Sequence, residues 1–409
     1  MKITDVKTVL LTGPFLEDPF LLECRKLRSA AFIEIHTDTE LVGLGETYGG
    51  YFCPELVPPA VDLYKPVLIG RNVENIEQAW QDMYHCENFW GRVGLGPIVL
   101  SGIEGALWDL KGKMHGLPVY ELLGGRKHES LLCYASGGPS NYPKTRLAEK
   151  MDFYVSTLGF RAFKLGTGAW EGDHNANPEK LGDFVDFETD KLQFVRSHVG
   201  KEIEVLMDGH MGNMTGPVWD LATAQRVIKA LEPFDLFLFE EPLHYTNPWG
   251  YEQLCKSTTV PIAGGECLTS TYEWRIYTER NCFDIGQPDG AFSGGLGPFM
   301  KIAHMLESTG RKVATHCNAS GVGFMQNLHV GFAAPNTVIL EVVPAYGPLH
   351  SEIMGDSFIM RDGRALPPEK PGLGVVLTDE TKNRFPFQPG TGEFNDVPGK
   401  MLVESAWEG

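Results

Sequence analysis

Apolar and polar positions alternate along this chain with two different periods, and the change of period divides it. Over Ile3–Leu11, Ala30–Thr37 and Val42–Glu46 the period is near two, which predicts β-strands, the last two joined by a polar turn at 38–41. From Val61 to Gly116 the pattern turns helical. Over Ile98–Met114 it sets Ile103, Ala106, Leu107 and Leu110 on one face and stops near Gly116 and Pro118. Gly13–Arg28 and Tyr48–Pro54 are irregular segments carrying aromatic residues between these elements.

After Gly124-Gly125 a different rhythm begins. Short apolar runs recur at Leu131–Ala135, Ala162–Leu165, Ile203–Met207, Leu236–Phe239, Pro261–Ala263, Phe283–Ile285, Val313–Thr315 and Val338–Leu340. Between them lie helical stretches such as Lys144–Thr157, Phe187–His198, Asp220–Leu231, Leu296–Ser308 and Gly323–Ala333. Repeated strand–helix alternation predicts a parallel sheet closed on itself. A doubly wound open sheet is the competitor, but the GxGxxG turn of a dinucleotide-binding sheet is missing after the first strand. The fold class is therefore read as α/β: a modified (β/α)8 TIM-type barrel over residues 126–366, with an α+β N-terminal capping domain over 1–125. The tail 367–409, rich in Pro and Gly, shows no further βα unit and is expected to complete the capping domain.

Composition narrows the function classes. Hydrophobic residues at 43% and charged residues at 22% fit a globular chain and not a fibrous or disordered one. A net charge of −18, with no basic block to overcome it, argues against nucleic acid as a partner. No run approaches the roughly 18 apolar residues of a membrane span, and MKITDVKTVLL reads as a strand and not as a signal peptide. The eight cysteines stand alone, without CxxC spacing, so free thiols and a cytoplasmic setting are expected.

The residues at the ends of the apolar runs carry the chemistry. In such a barrel the C-terminal ends of the strands form the catalytic face. The third run ends in Asp208, the fourth in Glu240 and the fifth reaches Glu266, spaced by about one βα unit each. Any one of these acids is equally well explained as the cap of the next helix. Together, on successive strands, they would repel one another unless a cation sat between them, and hard oxygen donors point to Mg²⁺. Asp289, His316 and Glu341 continue the series on strands six, seven and eight. Asp289 is placed to orient the His316 imidazole as a base. Glu341 is expected to donate to an oxyanion if burial keeps it protonated; a buried acid paired with Lys or Arg is the other reading. Lys164, ending strand two, can meet a substrate carboxylate or serve only in an ion pair. His210, two residues after Asp208, is expected to face the same way on an extended strand and to give a proton where His316 takes one.

These motifs resemble the enolase superfamily, mandelate racemase subgroup, and within it the galactonate-dehydratase type of acid sugar dehydratase. The resemblance rests on Ser101-Gly102-Ile103-Glu104-Gly105-Ala106-Leu107-Trp108-Asp109, on Leu122-Leu123-Gly124-Gly125, on the Asp208, Glu240, Glu266 series and on Asp289 with His316. It implies Mg²⁺ on the three acids and removal of a proton α to a substrate carboxylate. The racemases carry Lys-x-Lys on strand two; here the second position is Gly166, so a base on the opposite face is missing. Dehydration needs one base and one acid, and the Asp208-x-His210 pattern is similar to the galactonate-dehydratase type. The expected activity is dehydration of a sugar acid to a 2-keto-3-deoxy acid. A cycloisomerase or lactone-processing enzyme of the same superfamily is the alternative, and a non-catalytic sugar-acid sensor a remote third. Arg25, Tyr48 and Trp170, in loops expected to close over the barrel, are the candidate substrate contacts. The family also implies a homo-oligomer.

Overall fold

The computed structural model describes residues 1–15, 17–20, 27–136, 144–167, 184–212 and 219–390. Three antiparallel strands open the fold in the spatial order β1 (Ile3–Pro14), β2 (Leu27–Thr37), β3 (Val42–Thr47). The middle strand is buried on both faces from Arg28 to Ile35, which its uninterrupted apolar run Ala30-Ala31-Phe32-Ile33 reflects. Ala31, Ile33 and Ile35 pack with residues of α1 (Val57–Leu68), α2 (Ile76–Glu87) and α3 (Leu95–His115); Ala30 and Phe32 join the larger core shared with the barrel. The periodicity of α3 predicts one buried stripe. The helix instead buries most of its circumference, including Ser101, Glu104 and Asp109, because it lies between the sheet and the rest of the fold.

Eight parallel strands follow: β4 (Leu131–Ala135), β5 (Ala162–Gly166), β6 (Glu204–Asp208), β7 (Leu238–Glu240), β8 (Ile262–Gly264), β9 (Ile285–Gly286), β10 (Lys312–Thr315) and β11 (Thr337–Val342). Each pairs with the next, and β11 pairs back onto β4 through Leu340 and Cys133, which closes the barrel. The intervening helices are α4 (Lys144–Asp152), α5 (Phe184–Val199), α6 (Leu221–Leu231), α7 (Pro248–Cys255), α8 (Thr271–Glu279), α9 (Leu296–Ser308) and α10 (Gly321–Ala333). A short hairpin, β12 (Met360–Arg361) and β13 (Arg364–Ala365), lies antiparallel on β4 and has no counterpart in the sequence expectation. Beyond it the chain returns to the first sheet, where Thr12 N–H donates to Phe385 O at 3.3 Å. Among the described residues no helix is long and apolar enough to cross a membrane.

Two buried acids of the N-terminal unit end on helix starts of the barrel. A helix N-terminus leaves backbone N–H groups without intrahelical partners, and a carboxylate satisfies them. Glu104 accepts from Leu296 N at 2.6 Å and Gly297 N at 2.9 Å, at the first turn of α9. Glu46 does the same for α10. Burial lifts the Glu104 pKa from 4.5 to about 7, against the lowering effect of the Trp108, Gly297 and Leu296 hydrogen bonds. A carboxyl whose pKa is raised by folding stabilises the fold most when protonated, and that contribution is lost as pH rises through about 7. Glu104→Gln removes an acceptor but also the titration. Its melting-temperature deficit relative to the wild type is therefore expected to shrink between pH 5 and pH 8 in scanning calorimetry; a deficit that widens with pH contradicts this account.

Candidate active site

One residue from each barrel strand forms an interior layer: Tyr134, Ala162, Leu206, Leu238, Ala263, Ile285, Ala314 and Ile339. Side chains return to the same face every second residue. Two positions further along stand Ser136, Lys164, Asp208, Glu240, Gly265, Gln287, His316 and Glu341, so the strand period alone brings these groups to the C-terminal mouth. Gly265 is the exception. Its φ is +109°, and a Cβ there would lie 2.3 Å from the Trp274 ring, so the chain turns and Glu266 delivers the carboxylate instead.

Lys164 is the hub of one side. Its buried ammonium donates to both oxygens of Glu240 at 2.8 Å and lies 3.3 Å from Asp208 Oδ2 and 3.5 Å from Glu341 Oε1. Gln287 Nε2 adds a 2.6 Å bond to Glu240. Burial alone would discharge the lysine, but Glu240, Glu341, Tyr134 and Asp208 outweigh it and hold its pKa well above the usual value. The expectation that Glu341 stays protonated is overturned for the same reason. Burial raises its pKa, yet the Lys164 and His316 charges, Ser136 and the Cys317 N–H at 2.6 Å hold it below the ordinary carboxylate range. Glu341 therefore accepts hydrogen bonds and does not donate.

The other side is built on His316. Its Nδ1 lies 2.9 Å from Asp289 Oδ2, and the second Asp289 oxygen accepts from Ala291 N at 2.7 Å and Asn327 Nδ2 at 2.8 Å. Nε2 faces Glu266 Oε2 at 3.6 Å. Burial opposes the charged imidazole, but Glu266 and Asp289 prevail and raise its pKa to about 10. The other Glu266 oxygen faces His210 Nε2 at 3.7 Å, so one carboxylate stands between the two histidines and is held down at about 2, against burial, by both and by Lys164. His210 does not sit on an extended strand as expected. β6 ends at Asp208, His210 has φ +50°, and its own N–H donates to Asp208 Oδ1 at 2.8 Å. The turn leaves its side chain 39% exposed against 10% for His316.

Among the candidate substrate contacts, Tyr48 lies beside His316, their ring centroids 5.7 Å apart. Arg25 and Trp170 lie outside the described residues. The structure adds groups that sequence reasoning passed over. Glu241 is buried beside Glu240, accepts from Gly212 N at 3.2 Å and faces Cys267 Sγ at 3.7 Å. Arg28 is sandwiched between the Phe15 and Tyr51 rings and donates to Asn318 O at 2.6 Å, two residues past His316.

The donor set fits a hard divalent cation such as Mg²⁺. Asp208, Glu240, Glu241, Glu266, Asp289 and Glu341 share the mouth with Lys164 and the two histidines. Burial, followed by the neighbouring carboxylates and against Lys164, pushes Glu240 and Glu241 well above the usual carboxylate range. That is the signature of a cluster short of positive charge. Asp208 and Glu240 converge on the Lys164 ammonium. A second set, Glu241, Glu266 and Cys267, has ligand atoms all within 4.8 Å of one another, and it includes a thiol where the sequence pointed to oxygen donors.

Residues 146–381 match the family profile described as enolase C-terminal domain-like, and residues 12–124 match that of the mandelate racemase / muconate lactonizing enzyme N-terminal domain. The chain belongs to the enolase superfamily, in its mandelate racemase subgroup. It is 32% identical over 361 residues to the D-galactonate dehydratase of Pectobacterium atrosepticum, covering 85% of this chain and 89% of that one. Among solved structures it resembles the 3,6-anhydro-D-galactonate cycloisomerase from Zobellia galactanivorans, with a TM-score of 0.79, 26% identity and coverage of 94% and 99%. A racemase from Streptomyces coelicolor A3(2) with bound magnesium gives a TM-score of 0.78, 26% identity and the same coverage.

Proposed function

We propose that this member of the superfamily is a Mg²⁺-dependent dehydratase of a sugar acid, yielding a 2-keto-3-deoxy acid. The observation that carries the reading is the placement of two histidines on either side of Glu266, one buried and oriented by Asp289, the other reachable by solvent. A single base and a separate acid are what β-elimination of water needs, and Gly166 leaves no second lysine on strand two for a racemase's return proton. Asp208, Glu240 and Glu266 are the residues assigned to hold the cation. When bound, it would supply positive charge to the substrate carboxylate and draw on the Glu266 charge that otherwise keeps the His316 proton in place. His316 Nε2 then accepts the α-proton while Asp289 holds Nδ1–H. His210 delivers a proton to the departing hydroxyl. Lys164, held at the mouth by Glu240 and Glu341, presents its ammonium to the substrate carboxylate and its developing charge, and Tyr48 walls the His316 side. Residues 1–125 with the tail 367–409 form the cap in this reading, and 126–366 carry the chemistry.

The test is a screen of the purified protein with Mg²⁺ against open-chain aldonates and aldarates, scored for 2-keto-3-deoxy product. At least one acid is expected to turn over. No product and no deuterium incorporation at any α-carbon would sink the proposal. The likeness to the cycloisomerase favours a second reading, so anhydro sugar acids and lactones belong in the same screen; turnover of those alone selects it.

A further inference from the structure

The chain of contacts that ends on Asp289 starts outside the barrel. Gly45 of β3 is pressed on α3, where a Cβ would lie 2.1 Å from Gly102 O, so the strand is seated directly on that helix. Strand alternation sends the next residue, Glu46, the other way, to the start of α10. Ser320, the N-cap residue of that helix, makes no side-chain cap bond of its own. Glu46 takes the role instead, accepting from Ser320 Oγ, from Ser320 N at 3.1 Å and from Gly323 N at 2.7 Å. Glu46 N donates to Gln326 Oε1 at 2.7 Å, one turn further along. From that turn, Gln326 Nε2 reaches Gly290 O at 3.1 Å, and Asn327 holds Gly290 N and Asp289 Oδ1, both at 2.8 Å. Asp289 Oδ2 meets His316 Nδ1.

We propose that Glu46 is a positioning residue for the His316–Asp289 pair: by fixing the first turn of α10 it sets Asn327 and Gln326, and through them the carboxylate that orients the imidazole. The role of His316 as base rests on the proposed function; the geometric claim does not. Every link is a buried polar group with a partner, and leaving one of these unpaired is costly enough for the chain to move as a unit. Glu104 provides an internal comparison. It caps α9 in the same manner from the same unit, but its partners, Trp108, Leu296 and Gly297, make no bond to Asp289 or His316.

Two readouts test this. The first is the low-field proton resonance of His316 Nδ1–H, identified by its loss in His316→Asn, and it needs no substrate. The second is α-proton exchange with a substrate found by the screen. In Glu46→Ala the resonance is expected to shift or broaden away, with kcat for exchange down roughly 10–100-fold and KM within about threefold. Glu46→Gln, which keeps an acceptor, should restore most of both, and Glu104→Gln should leave the resonance where it is. Should Glu46→Ala fail to fold, Ser320→Ala removes one of the three bonds, and the same changes are expected on a smaller scale. An unmoved resonance in a folded Glu46→Ala or, in its place, Ser320→Ala overturns the proposal, as does equal displacement in Glu104→Gln. If no substrate is found, the proposed function fails while the resonance still decides this inference.

Discussion

Replacing His316 by Asn is expected to abolish both dehydration and α-proton exchange, whereas His210→Asn should lose dehydration and keep part of the exchange. The asymmetry follows from what each ring touches. His316 is buried, its Nδ1 held by Asp289, so its Nε2 is the oriented proton acceptor of that face. Lys164 cannot stand in, because four neighbours keep its ammonium charged and Glu240 holds it by both oxygens. His210 sits across Glu266 on a turn open to solvent, suited to replenishing a proton that leaves with the hydroxyl. Loss of a positioned acid or base costs roughly 10²–10⁴-fold, on the order of 3–5 kcal/mol of transition-state stabilisation. Following product by keto-acid assay and exchange by proton NMR in D₂O separates the two steps. If exchange dies in His210→Asn and survives in His316→Asn, the roles are reversed.

Lys164→Met is expected to be the most destabilising single change at the mouth. Glu240 is fully buried and its principal partner is that ammonium. Removing that ammonium leaves the buried carboxyls of Glu240, Asp208 and Glu341 without the cation they share, and breaking a buried pair in this way costs about 3–5 kcal/mol. A divalent cation can replace part of what is lost. With Lys164 gone, Asp208 and Glu240 no longer share their oxygens with a resident cation, so Mg²⁺ should bind more tightly to the variant. Each tenfold gain in affinity adds about 1.4 kcal/mol at saturating metal. Urea unfolding in chelator and again in excess Mg²⁺ should therefore show a larger metal effect in Lys164→Met than in the wild type. Equal metal effects in both proteins would mean that these carboxylates are not where the cation binds.

The mouth was legible because period two is a local property. Once an apolar run is recognised, Lys164, Asp208, Glu240, His316 and Glu341 follow at its end, and the structure sets each of them two residues beyond the interior layer. What failed were statements about environment. The protonation of Glu341 depends on Lys164, Ser136 and Cys317, which belong to other strands or loops, and no run of residues around position 341 announces them. His210 looked like the next position of a strand, but the strand stops at Asp208 and the chain enters the left-handed region. Glu240 and Glu241 are chemically identical in sequence; only the end of β7 decides that the first reaches Lys164 and the second the Gly212 amide. Glu46 and Asn327, more than two hundred residues apart in the chain, are linked only through tertiary hydrogen bonds, to which hydrophobic periodicity is blind.

The two carboxylates that close the helix starts of α9 and α10 bear on how such proteins can be recombined. Exchanging the N-terminal unit for that of a relative is an obvious route to new substrate range under the proposed function, in which that unit's Tyr48 walls the site. Such a chimera would also exchange the N-terminal caps of two barrel helices. Unless the donor segment brings an acceptor to the places of Glu46 and Glu104, the graft leaves the amides of Ser320, Gly323, Leu296 and Gly297 without these partners in a largely buried seam, and the recipient barrel bears the loss.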